Sequence, residues 1–528
     1  MRFKDKSSVA SAIKMKNIAF HFVFLSAYTN FATSFEKQYM EDYPQPLKER
    51  TEQSLFWSML NNGTLQVLNI LFGVVLARLL TPGDYGIVGV LTIFSLIAGN
   101  LQSSGFTQAL INLKPPKPED YNSVFWFNVI ASVILYAILW FCAPLIADFF
   151  HQPVLVDVSR FIFLAFLISS LGIAHGGYML KNMMNREIAI INLIALLCSG
   201  CTGIVLAFNG YAYWSLAWQQ VVYIIVLNLG RYYFVKWRPS WKIDFGPVKR
   251  MFGFAVNILF TNIINTLSGQ ILTFIFGRFF PIAQVGNFSQ ANKWNTQANT
   301  FVSGTMGQVA QPVLVNVDND KDRQKRVFRK MIRFTAFLAF PVMLGLAFVA
   351  KEFVEVVLGA KWIECIPLLQ VLCVAGAFMP LYTVYQHLAI GCKRSDLYLW
   401  CNVGQIVLQI GIILLCYYLF SKSIIVVVTV YSVFMILWLA AWQIVAKHLI
   451  NLKWLEAILD IAPFLVITIV VFALTHLATF WIENNIILLI SKVIVGAALY
   501  IAVMKLANVK IFAECWEFMR KKFKRQQT

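Results

Sequence analysis

The chain has 528 residues, 59% of them apolar and only 13% charged, and its mean hydropathy is +0.68. That composition excludes a large soluble enzyme and points to a polytopic membrane protein. The net charge of +19 does not point to nucleic acid, because the bases sit in loops between apolar stretches, where they orient a chain in the bilayer and meet anionic lipid.

Residues 1–16 are basic and polar, and residues 17–32 form a short Phe-rich run resembling a weak signal peptide. Residues 1–50 therefore read as an N-terminal extension outside the fold, with an alternative start near Met40. From residue 55 onward the pattern predicts about fourteen transmembrane helices. They run over 55–80, 85–110, 122–147, 156–180, 187–208, 211–235, 251–279, 284–314, 328–350, 364–390, 396–420, 423–446, 455–480 and 485–505. Each has the ~20 residues that cross the hydrocarbon.

The connections separate by charge. One alternating set (112–122, 181–187, 231–250, 318–333, 391–396, 447–453 and 505–525) carries most of the 44 Lys and Arg. The other set, with its helix ends, holds only Arg78, Arg160, Arg278, Lys351, Lys361, Lys422 and Lys492. By the positive-inside rule the first set and both termini are cytoplasmic, which requires an even number of spans. The nine Cys lie mostly inside apolar runs; Cys198 and Cys201 have the spacing of a redox or metal motif, but no partner pair accompanies them, so they read as packing residues.

The chain repeats itself. ARLLTPGDYGIV at 77–88 is echoed by GRFFPIAQVGNF at 277–288, placing Arg78 over Arg278 and Gly86 over Gly286 at an offset of 200. LKNMMNREI at 180–188 is echoed by LAIGCKRSDL at 388–397. Six spans per copy enter the membrane in the same sense, which predicts a parallel repeat about an axis along the membrane normal, with the substrate path at the interface. The expected organisation is an N-lobe at 51–240, a C-lobe at 241–450, and two further helices with a basic cytoplasmic tail at 451–528.

Residues 287–314 (NFSQANKWNTQANTFVSGTMGQVAQPVL) are the anomaly among these spans. No acid occurs between Asp244 and Asp318, yet Gln290, Lys293, Gln297, Gly304, Gln308 and Gln311 share one helical face. Such a face cannot look at lipid; it fits the wall of a wet cavity.

The hairpin FGVVLARLLTPGDYGIVG at 72–89, with VGNFSQANKW at 285–294 and QVAQPVL at 308–314, resembles the polysaccharide transporters of the multidrug/oligosaccharidyl-lipid/polysaccharide exporter superfamily. These are the O-antigen and capsule repeat-unit flippases, especially the branch similar to colanic-acid exporters. The resemblance covers about residues 50–505. It implies a V-shaped pair of six-helix lobes, alternating access, a cationic central cavity, and a lipid-linked glycan carried on undecaprenyl diphosphate across a bacterial inner membrane. Polysaccharide polymerase or export machinery would be a further partner. No cofactor is implied; Na⁺, H⁺ or the membrane potential would drive the cycle.

Within that frame Lys293 reads either as a cation for the diphosphate or as a residue snorkelling to an interface. Arg78 and Arg278 read as cations flanking the outer mouth, or as interface anchors, with Asp84 a candidate partner for Arg78. Lys181, Arg186, Lys393 and Arg394 would receive the diphosphate at the cytoplasmic side, or simply orient the chain. Asn62, Gln66, Asn69, Asn100, Gln102, Asn262 and Asn265, with Gln290, Gln297 and Gln308, are lumen candidates that would equally join helices. His175 and His387 read as packing residues or as a proton relay. A membrane glycosyltransferase would need clustered acids for metal or base chemistry, and the acids here stay in loops and near span ends. The other readings are a cation-coupled multidrug exporter of the same superfamily and a peptidoglycan lipid-precursor flippase.

Overall fold

A backbone in hydrocarbon has no water to bond, so each apolar stretch satisfies its own N–H and C=O groups as a helix. The computed structural model describes residues 45–112, 116–315, 321–392, 394–419 and 422–507, with 509 and 512, and among them there is no strand. The helices are α1 (Gln45–Leu79), α2 (Pro82–Asn112), α3 (Pro118–Phe150), α4 (Leu155–Lys181), α5 (Asn185–Phe208), α6 (Trp214–Phe234), α7 (Gly246–Phe279) and α8 (Ile282–Val315). They continue as α9 (Lys321–Phe348), α10 (Cys365–Gly376), α11 (Met379–Gly391), α12 (Ser395–Leu419), α13 (Ile424–Ile450), α14 (Trp454–Thr479) and α15 (Asn485–Leu506).

The chain is an all-α, multi-pass membrane protein. Among the described residues, 11 segments are long and apolar enough to cross a membrane, with α10 and α11 counted as one segment, Cys365–Gly391. The other three expected stretches, α6, α7 and α8, are equally helical but carry more amides and hydroxyls. The apolar side chains left on the surface, Phe141 at 78% exposure and Leu455 at 67% among them, are what a lipid-facing surface requires. Helix α1 begins at Gln45, inside the stretch read from sequence as an extension; residues 1–44 lie outside the described residues. Arg231, where the expected span 211–235 overlaps the base-rich connection 231–250, is in the last turn of α6 and donates to the Gly172 carbonyl at 3.2 Å.

Local chemistry sets the boundaries. Between α1 and α2, Thr81 and Asp84 form a capping box: the Asp84 carboxylate accepts from the Thr81 N–H (2.8 Å) and hydroxyl (2.7 Å), and Thr81 Oγ1 accepts from the Asp84 N–H (3.3 Å). Asp84 is thus occupied by its own turn and is not the partner of Arg78. Asn484 caps α15, accepting from the N–H groups of Ile486 and Ile487.

Helix α2 runs along both α7 and α8, so these three helices form the main contact between the two sequence halves. Within the first half α3 packs on α4, α5 on α6, and α1 on α5. In the second, α8 packs on α10 and α11, and α9 on α14. One large core links most of the helices, and a smaller buried cluster of Phe106, Leu110, Tyr121, Val124, Met251 and Ala255 closes the base-rich end.

Candidate functional site

Helix α8 carries two polar stripes, because a helix this rich in amides has to satisfy them on both flanks. The first faces the second half. Asn287 Nδ2 donates to Glu364 Oε2 at 2.9 Å, and Asn299 Nδ2 donates to the Gly376 carbonyl at 3.3 Å. Gly376 is where α10 stops; four residues on, Pro380 brings no N–H to its carbonyl, and Asn299 supplies the missing donor.

The second stripe is the one read from sequence. Gln297 accepts from Gln66 Nε2 of α1. One turn nearer the base-poor end, the Lys293 ammonium lies against α1, so close that a methyl group on Gly73 would stand 3.1 Å from Nζ. Its other neighbour is the Tyr85 ring, 6.0 Å away. Lys293 is half-buried and has no hydrogen bond or ion pair among the described residues. Around it on α8, the fully buried Gln290 has no partner among the described residues for either amide atom, and the Tyr85 hydroxyl on α2 has none there either. An ammonium with such neighbours calls for an anion or water, because a buried donor left unmade costs about 1–3 kcal/mol.

The other seam is tied by Asn100 of α2, whose Nδ2 donates to Thr266 Oγ1 (2.6 Å) and to the Asn262 carbonyl (3.3 Å) of α7. Gln66 and Thr266 are 200 residues apart, so equivalent positions of the repeat each reach the opposite half. Asn62 and Asn69 are exposed on α1. The side chains of Gln102, Asn265 and Gln308, and residue Lys393, lie outside the described residues.

At the base-poor end the two arginines of the repeat behave alike. Arg78, at the end of α1, donates through Nε to the Val357 carbonyl (2.9 Å) and through Nη2 to that of Val356. Arg278, at the end of α7, donates to the Phe149 carbonyl (2.5 Å) and meets His151 Nε2 at 2.6 Å, a contact open only to a neutral imidazole acting as acceptor. Each guanidinium therefore caps the last carbonyls of a helix in the opposite half. Lys361 Nζ and Trp362 Nε1 strengthen the first contact by donating to the carbonyls of Arg78 and Ala77, both at 2.8 Å.

At the base-rich end, Arg186 lies over the Trp57 ring at 5.7 Å, and Arg394 is paired with Asp396 at 2.8 Å. Lys181 is half-buried at the end of α4. His175 is fully buried against the Tyr232 (4.1 Å) and Trp237 (5.1 Å) rings, as a packing residue would be.

Two ionic clusters escaped the sequence reading. Lys492 of α15 pairs with Glu352 at 2.7 Å, both side chains under a tenth exposed. Asp460 of α14 takes Arg329 (2.6 Å) and Arg333 (3.4 Å) of α9. A lone Lys492 in an apolar run was the available signal, since such a charge needs a partner; its partner lies 140 residues away and has no sequence signature.

A family model described as "Polysaccharide biosynthesis protein" matches residues 75–367, more than half of the chain. An uncharacterized membrane protein in the cps region of Klebsiella pneumoniae is 25% identical over 70% of this chain and 76% of its own length. The lipopolysaccharide biosynthesis protein WzxC of Escherichia coli (strain K12) is 24% identical over 70% and 75%, and the teichuronic acid biosynthesis protein TuaB of Bacillus subtilis (strain 168) is 24% identical over 76% and 81%. Among solved structures, the lipid II flippase MurJ in an inward closed conformation superposes with a TM-score of 0.68 at 13% identity, covering 87% of this chain and 99% of its own. An inward-facing MATE family transporter of the MOP superfamily gives 0.58 at 15% identity, covering 73% and 95%. At such identities the structures establish the shared fold.

Proposed function

The chain belongs to the polysaccharide biosynthesis protein family, and from that premise we propose that it is a flippase, not an enzyme. Its substrate is an undecaprenyl-diphosphate-linked oligosaccharide repeat unit, moved from the inner to the outer leaflet of a bacterial cytoplasmic membrane by alternating access of two six-helix lobes. The base-rich end and both termini are cytoplasmic, following the positive-inside rule. The observation that carries this reading is Lys293, a cation with no anionic partner among the described residues, set beside unpartnered polar groups where α8 meets α1. A diphosphate supplies the missing anion. The amides suit sugar hydroxyls, and the prenyl tail stays in lipid. Basic residues at the cytoplasmic end, Arg186 and Lys181 among them, take the head group first, and Lys293 draws it toward the outer half.

The drug-exporter reading is disfavoured by the state of the acids. A cationic drug needs a free carboxylate, whereas Glu352 and Asp460 are each held by cations and Asp84 by its own turn. For the same reason the drive is better sought in Na⁺ held by amides or in the membrane potential than in a carboxylate proton site.

Surface-polysaccharide export is the test, with Lys293→Ala and Lys293→Arg compared at matched protein level. Export should fall at least tenfold for Ala, the scale of one lost charge-assisted hydrogen bond, and recover in part for Arg. Normal export by the Ala variant would remove the diphosphate role.

A further inference from the structure

At the base-poor end the arginines of the repeat close the seam through backbone carbonyls. Arg78 and Arg278 occupy equivalent positions 200 residues apart, and each spans the seam between halves to cap carbonyls that a helix end leaves unbonded. The two caps differ in what stands behind them. Arg278 reaches the simple end of α3, where His151 adopts the left-handed conformation (φ 54). Arg78 reaches a π-helical turn, Val354–Leu358, which α15 pins from the other side through Asn485 Nδ2 to Glu355 Oε2 at 2.8 Å and, in the short helix Ala350–Phe353 just before it, through Lys492 to Glu352 at 2.7 Å. The same turn is followed by Lys361 and Trp362, which grip the end of α1. Helix α15, an appendix by the logic of the repeat, thus touches the closure directly.

We propose that Arg78 and Arg278 form a two-jawed clasp that holds the outer face shut between transport cycles, and that α15 sets the strength of the Arg78 jaw through the Glu352–Lys492 pair. The inference rests on the alternating-access reading above, since a closure matters only if that face opens. The Arg78 jaw holds only guanidinium and carbonyl groups, which do not titrate in the physiological range, so it parts by movement of the halves; the Arg278 jaw adds His151, which accepts only as a neutral imidazole. Each opening exchanges four cross-seam contacts of the arginines, two per jaw, for water or lipid head groups.

Ser289 offers a probe. It sits on α8 facing Gly89 of α2, with its Oγ buried and without a partner among the described residues, so Ser289→Cys is a near-isosteric thiol inside the closed seam. Labelling of that thiol by a membrane-impermeant maleimide added to intact cells reports opening, with the native Ser289 protein setting the background from the other cysteines. Total thiol after denaturation, protein level and melting temperature control for misfolding. Arg78→Gln and Arg278→Gln should each raise the labelling rate about tenfold, the scale of one charge-assisted hydrogen bond. Arg160→Gln, at the same end but stacked on Trp140 within one half, should leave it unchanged. The neutral pair Glu352→Gln/Lys492→Met should match Arg78→Gln, add nothing to it, and be additive with Arg278→Gln.

Unchanged labelling in both arginine variants would overturn the clasp. Additivity of the neutral pair with Arg78→Gln would overturn the link to α15. Labelling that rises only in inverted vesicles would overturn its placement at the outer face. None of these readouts needs substrate, so they stand or fall apart from the export assay on Lys293.

Discussion

Gly86 and Gly286 meet across the seam as mirror partners: a methyl on Gly86 would run into the Ile282 carbonyl, and one on Gly286 into the Pro82 carbonyl. Pro82 and Ile282 are themselves 200 residues apart, so each glycine accommodates the first turn of the other's helix. An approximate two-fold axis therefore passes between α2 and α8 where the jaws close. The opposing atoms are backbone, which cannot rotate away.

Gly86→Ala and Gly286→Ala should each lower stability by about 1–3 kcal/mol, the range for an overpacked site, read as a drop in melting temperature of the purified protein. Gly83→Ala, three residues before Gly86 and 3.7 Å from its nearest neighbour, should be neutral. Equal melting temperatures for the Gly83 and Gly86 variants would mean the helices can part at no cost.

The Glu352–Lys492 pair makes a second expectation. Both groups are buried, so removing one leaves an uncompensated charge, a loss of about 3–5 kcal/mol. Lys492→Met alone should destabilise strongly, and adding Glu352→Gln should recover most of the loss. Thermal unfolding of the two variants decides; if the double variant is no better than the single, the ion pair is not the source of the effect.

Much of this was legible in the chain itself. Helices lie where the apolar stretches predicted them, and Gln290, Lys293 and Gln297 share a face because 3.6-residue periodicity is a local property. The equivalence of Arg78 and Arg278 was visible as a repeat. What each arginine binds was not, because backbone carbonyls have no sequence identity: nothing in Val356, Val357 or Phe149 marks them as acceptors. Asp84 illustrates the opposite error. As the nearest acid it was a candidate for Arg78, yet the capping box at Thr81 claims it, local geometry winning over charge. The first polar stripe of α8, the one facing the second half, was hidden for another reason: Asn287 and Asn299 read as more of the same polarity until Glu364 and the break between α10 and α11 gave them something to face.

That break supplies the last expectation. Pro380 deprives the Gly376 carbonyl of its helical donor, and Asn299 donates in its place at 3.3 Å. Asn299→Leu should therefore orphan a buried acceptor and cost about 1–3 kcal/mol. Pro380→Ala restores an N–H four residues after Gly376, so it offers the carbonyl a new partner. In the Pro380→Ala background the Asn299→Leu substitution should cost markedly less than in the native chain, a coupling that a double-mutant cycle on thermal unfolding reads directly. If the two losses simply add, Asn299 holds α8 by some contact other than this carbonyl, and the break is maintained without it.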